Sequence, residues 1–169
     1  MDSKIERDDQ EKVLIEKVDV LTEVKEPQNF PWPYEDESVK EITCVGVLEF
    51  VPGKLRGKFM DEIYRILVPS GKASFAVVYW NTARGAQDYL YEYPPLCEQS
   101  FLYFNKGWRD ANKIERDLKC NFSFTYGYSF EAETAARNEE SRGFYIKRYT
   151  NCVDVLHLML TKLRPDEIG

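Results

Sequence analysis

Polar and apolar positions divide the middle of the chain into a strand, a helix and a second strand. Glu41 to Phe50 is a mostly apolar run of β-formers that stops at Pro52-Gly53, the pattern of a buried strand. From Lys54 to Leu67 the apolar residues Leu55, Phe59, Ile63 and Ile66/Leu67 recur at helical spacing, with Lys58, Asp61, Glu62 and Arg65 on the opposite face. Pro69 and Gly71 are expected to end that helix. Lys72 to Trp80 is the second strand. Two strands joined by a helix of this length predict a parallel βαβ unit.

Upstream, Lys12 to Thr22 (KVLIEKVDVLT) alternates through Val18 and Val20 as a strand, although Val13–Ile15 also fit a helical turn. Three prolines in Pro27 to Pro33 exclude regular structure there and predict an aromatic loop. Downstream, residues 81–110 lack periodicity and are rich in aromatics. A segment of this kind is expected to carry function or to cover a site, with a helical turn or two at Glu98–Asn105. Leu118 to Tyr128 reads as a strand with Cys120, Phe122, Phe124, Tyr126 and Tyr128 on one face. Ala132 to Arg148 reads as one helix weakened by Gly143, and Asn151 to Lys162 as a closing strand. The pattern does not decide whether the last two strands pair parallel or antiparallel.

Charge is uneven along the 169 residues. Residues 1–41 hold thirteen acids against six bases, whereas the remainder is close to neutral. Such a balance argues against a broad nucleic-acid-binding surface. No run approaches the ~20 apolar residues of a membrane span. The start lacks the basic-then-apolar pattern of a leader, so a cytoplasmic protein is expected. The four dispersed cysteines are read as reduced thiols, and no spacing of ligand residues predicts a metal site. His157, the single histidine, alternates with Val153, Val155 and Met159 and reads as a packed or solvent-side residue.

Phe30-Pro31-Trp32-Pro33-Tyr34, Asp36-Glu37-Ser38, Leu48-Glu49 and the helix end Glu62 to Gly71 together resemble class I S-adenosylmethionine-dependent methyltransferases. The resemblance covers roughly residues 30–80 and is nearest to small phage and bacterial members. It implies an α/β fold: a truncated Rossmann-like methyltransferase fold, a mixed sheet with helices packed on it and an antiparallel hairpin at its end. The implied organisation is an acidic N-terminal segment with one strand over 1–29 and a methyltransferase-like domain over 30–169.

The departures matter as much. The family holds its cofactor with a Gly-rich turn after its first strand, whereas the first glycine here is Gly46 and no G-x-G occurs. Only about thirty residues precede the PWPY segment, against ~60 for two βα units. The histidine expected after Leu48-Glu49 is Phe50, the second glycine of the helix stop is Ser70, and Asp88 is followed by Tyr91 where a histidine is expected. S-adenosylmethionine remains the implied cofactor. Its candidate contacts are Cys44, Val45 and Gly46 at a strand end, together with Asp19, whose distance from Trp32 fits neither of the family's acidic positions. Tyr79, Trp80, Asn81, Arg84 and Asp88 occupy the substrate-facing region.

Three functions follow as alternatives. The chain is a methyltransferase completed by a homodimer or a partner subunit covering the sheet edge, an inactive remnant serving as a binding or regulatory module, or a small-ligand-binding protein using an aromatic cleft between Trp80 and Trp108.

Overall fold

The computed structural model describes residues 14–167, so the expectation for Lys12 and Val13 lies outside the described residues. Five strands form one sheet in the order β1-β2-β3-β5-β4: β1 Ile15–Asp19, β2 Val39–Val45, β3 Leu67–Val78, β4 Phe122–Phe130 and β5 Val153–Lys162. The first three are parallel, and β5 is antiparallel to both β3 and β4, which settles the pairing that the sequence left open. This is the mixed α/β sheet the resemblance implied.

The first strand is shorter than the alternation suggests. It ends at Asp19, whose carboxylate accepts the Leu21 N–H (3.0 Å) and caps the four-residue α1, Val20–Glu23. Strand β2 ends at Val45, so the apolar residues after it do not extend it. Leu48–Phe50 form a 3₁₀ turn instead, after Gly46 takes φ +63°.

Helix α2 (Arg56–Ile66) buries Phe59, Met60, Ile63 and Ile66 against the sheet, as its spacing predicts. It ends at Ile66, and β3 starts at once, so Pro69–Gly71 lie inside a strand and are not the helix stop. The β2–β3 register shifts between Val39 and Glu41. The extra β3 residues are accommodated there by Ser70 at φ +62° and by Gly71, where a Cβ would stand 2.8 Å from the Val68 carbonyl oxygen.

The aperiodic stretch contains the short α3 (Glu98–Leu102) and α4 (Lys106–Ala111). The expected helix over 132–148 is divided into α5 (Ala132–Ala135) and α6 (Glu139–Arg148). Asn138 accepts the Ser141 N–H (2.8 Å) and starts the second. Gly143 lies inside α6 without breaking it.

All of this packs on one face of the sheet. Ile42, Ala73 and Leu160 stand in one cross-strand row under the helices, as do Cys44, Phe75 and Leu158. Neighbouring rows point the other way. Lys17, Glu41, Lys72, Thr125 and His157 are exposed there, with Val45 and Met159. His157 holds Ser129 Oγ at 2.7 Å on that open face. Doubly wound parallel sheets carry helices on both faces. Among the described residues this sheet carries them on one. Among the described residues no helix is long and apolar enough to cross a membrane, and no group of His, Cys, Asp and Glu side chains is placed to hold a metal ion.

Candidate functional site

Ligands in open α/β sheets sit beyond the carboxyl ends of the parallel strands. At that end of β3 lies a cleft of about 260 Å³ lined by Glu49, Val78, Tyr79, Trp80, Tyr91 and Tyr93, with Arg56 at its side. Its walls come from three places: the turn after β2, the end of β3 and the aperiodic cover. The cover is tied down by its backbone. Tyr79 bridges to Leu96, the Glu92 N–H donates to the Glu49 carbonyl (2.8 Å), and Phe50 meets Tyr91 edge-on at 5.1 Å.

Glu49 is the chemically distinctive residue. It is 6% exposed, and one carboxylate oxygen accepts the Val78 N–H at 2.7 Å. The second oxygen, Oε2, is buried without a protein partner. Burial pushes its pKa up, opposed in turn by the Val78 N–H, its own backbone N–H and the charges of Arg56 and Arg84. Arg56, itself 6% exposed, gives its hydrogen bonds elsewhere, to the carbonyls of Val51 (3.1 Å), Glu92 (2.9 Å) and Pro94. It therefore clamps the cover while lending Glu49 a positive field.

The raised pKa has a stability consequence. Between the unfolded value (~4.3) and the raised folded one, the folded chain holds a proton on Glu49 that the unfolded chain has released, so stability falls as pH rises across that window. Glu49→Gln cannot ionise yet retains an acceptor for Val78. The variant is expected to melt a few degrees higher than the parent at about pH 8, with the gap closing near about pH 4. Thermal melts at both pH values check this.

Of the residues expected on the substrate side, Tyr79 and Trp80 line the cleft. Tyr79 is buried against Tyr128 (5.6 Å), and Trp80 is half-exposed. Arg84 is near enough for its charge to act on Glu49 and Tyr91. Asn81 and Asp88 do not line it. The Asn81 carbonyl accepts the Asn151 N–H (3.1 Å), and the Asp88 carboxylate accepts the Leu90 N–H (2.9 Å) within a turn.

The four residues expected at the cofactor are dispersed. Asp19 caps α1, Cys44 is fully buried in the core, and Val45 points to the open sheet face. Burial, followed by the charges of Glu49 and Asp19, pushes the Cys44 thiol well up. Gly46 alone lines a hollow, about 250 Å³ in volume, with Leu21, Val24, Pro27, Val47 and Phe50. At φ +63° with nothing within 4 Å of a built Cβ, it leaves bare backbone facing that space.

The sequence reading did not assign Glu49, Arg56, Tyr91 or Tyr93 to a ligand. A signal for Glu49 was present: it is the one charge in the apolar run Val45 to Val51.

Residues 6–75 match a family model described as a methyltransferase domain. The fold is similar to that of a SAM-dependent methyltransferase from Archaeoglobus fulgidus (TM-score 0.50, 10% identity, 76% of this chain and 62% of that one). It is also similar to the YcgJ protein from Bacillus subtilis (TM-score 0.47, 11% identity, 82% and 69% covered). The chain thus spans less than two thirds of the length of the Archaeoglobus structure. No curated protein matches it.

Proposed function

We propose that this class I S-adenosylmethionine methyltransferase-like chain works as a binding module, with its ligand held in the Glu49–Trp80 cleft and without S-adenosylmethionine bound by the chain alone. The observation that carries the reading is the end of β1. There the carboxylate of Asp19 is spent on the cap of α1, and Val20, next in line, is fully buried. A cofactor cradle needs open backbone and free polar groups at this point. Gly46 fits such a cradle, whereas Asp19, Cys44 and Val45 do not. Transfer of a methyl group depends above all on holding the sulfonium in line with its acceptor. A fold that keeps the acceptor-side cleft and lacks the other wall is suited to binding. Titration calorimetry with S-adenosylmethionine and S-adenosylhomocysteine tests the reading: no saturable heat is expected, and tight binding overturns it.

A second reading is favoured by a sheet face and a β1 edge that no described residue covers, since proteins ordinarily cover such edges. A second copy of the chain or a partner subunit laid there would supply the missing wall. Light scattering across a concentration series is expected to show a homodimer under this reading, and a monomer throughout excludes self-assembly as its basis.

A further inference from the structure

We infer that the Glu49 cleft binds a small organic cation bearing N–H groups, an alkylammonium or a guanidinium. This deepens the binding-module reading and rests on it. Three observations converge. First, Glu49 Oε2 is an acceptor buried in the cleft wall with no protein donor, on a residue 6% exposed. An unmet buried carboxylate oxygen is costly, and a ligand N–H satisfies it with a charge-assisted bond. Second, four aromatic residues, Tyr79, Trp80, Tyr91 and Tyr93, are in the lining, and Trp80 is 52% exposed. Aromatic faces attract cations. Third, charge does not oppose a cation here: Glu49 and Glu92 in the lining offset Arg56 and the nearby Arg84, whose charges both act on Glu49. Arg56 does not supply the missing donor, because its recorded hydrogen bonds all go to backbone carbonyls.

A neutral hydroxyl ligand satisfies Oε2 but gains nothing from the aromatic lining. The unmet acceptor calls for a donor, and the aromatic residues favour one that carries positive charge.

The test uses the full chain and three probes of matched size: butylammonium, butylguanidinium and, as the uncharged control, butanol. Amide NMR reads the Val78 N–H, which is bonded to Glu49, and the Trp80 indole. Saturable shifts of both signals with the two cations, and none with butanol, are expected. Glu49→Gln turns the vacant acceptor into a donor and is expected to weaken binding at least about tenfold. Trp80→Ala, at a half-exposed position, is expected to weaken it roughly threefold. Circular dichroism confirms that each variant is folded. Absence of saturable shifts with either cation overturns the inference, as do equal responses to butanol or unchanged affinity in both folded variants. These outcomes are independent of the S-adenosylmethionine titration. A chain that binds neither cation nor cofactor loses this inference and keeps its lack of cofactor affinity. A chain that binds S-adenosylmethionine tightly loses the binding-module reading itself.

Discussion

Replacing Glu62 with alanine is expected to destabilise the chain by about 3 kcal/mol, the lower end of what breaking a buried ion pair costs. Glu62 is 7% exposed, and its carboxylate accepts the Trp32 N–H at 2.6 Å and the Arg65 Nε–H at 3.0 Å. Arg65 also donates to the Tyr34 carbonyl (2.8 Å) and to Asp36 (2.6 Å). One pair on α2 thus fastens the whole aromatic loop that enters β2, with Trp32 seated edge-on over Phe59 at 5.4 Å. Without the carboxylate, the Trp32 amide and the guanidinium lose their buried partner together. Urea denaturation checks the size of the effect. Glu62→Gln, which still accepts from Trp32, is expected to lose less.

Phe101→Ala carries the other large effect, about 3–5 kcal/mol for emptying a closed aromatic site. Phe101 is 1% exposed on the five-residue α3, with ring centres 5.8 Å from Phe75, 6.0 Å from Phe104 and 6.3 Å from Phe124. It is the apolar anchor of the cover. Polar anchors add to it: Asn105 donates to the Phe122 carbonyl (2.8 Å), and Arg109 donates to those of Tyr103 (2.7 Å) and Cys120 (3.0 Å). Because the cover supplies Tyr91 and Tyr93 to the cleft, the variant is expected to unfold at lower urea and to expose amides 98–118 first in hydrogen exchange. A loss below about 1 kcal/mol would mean that the cover is held by its polar bonds alone.

These two residues show what the sequence made readable. Glu62 and Arg65 lie on the polar face of a helix whose spacing gave α2 to within two residues at each end. The burial of Glu62 was not legible, because it depends on a loop thirty residues away folding over it. Phe101 belongs to a stretch with no period at all, where helices of five and six residues are too short to repeat a pattern. The sheet was easier. Alternation in 118–128 and 151–162 located β4 and β5, while their antiparallel pairing came from tertiary contacts. The backbone chemistry of Pro and Gly marked Pro69 and Gly71 as a helix stop, whereas a register shift against β2 absorbs them in β3.

The site was half legible for a related reason. Resemblance pointed to the end of β3, where Tyr79 and Trp80 do line the cleft. It pointed equally to Asp19 and Cys44, and local forces claimed both: a helix cap for the first and core burial for the second. Neither competing use is visible from spacing. Glu49 stood within a matched motif, yet its role follows only from the Val78 amide that fixes one oxygen and leaves the other bare.

The proposed binding-module reading requires that the hollow beside Gly46 hold no S-adenosylmethionine. An amide NMR titration of the full chain with S-adenosylmethionine tests it residue by residue. No saturable shift is expected at Leu21 or Gly46, which both line that hollow. Saturable shifts at both, reproduced by S-adenosylhomocysteine, would contradict it.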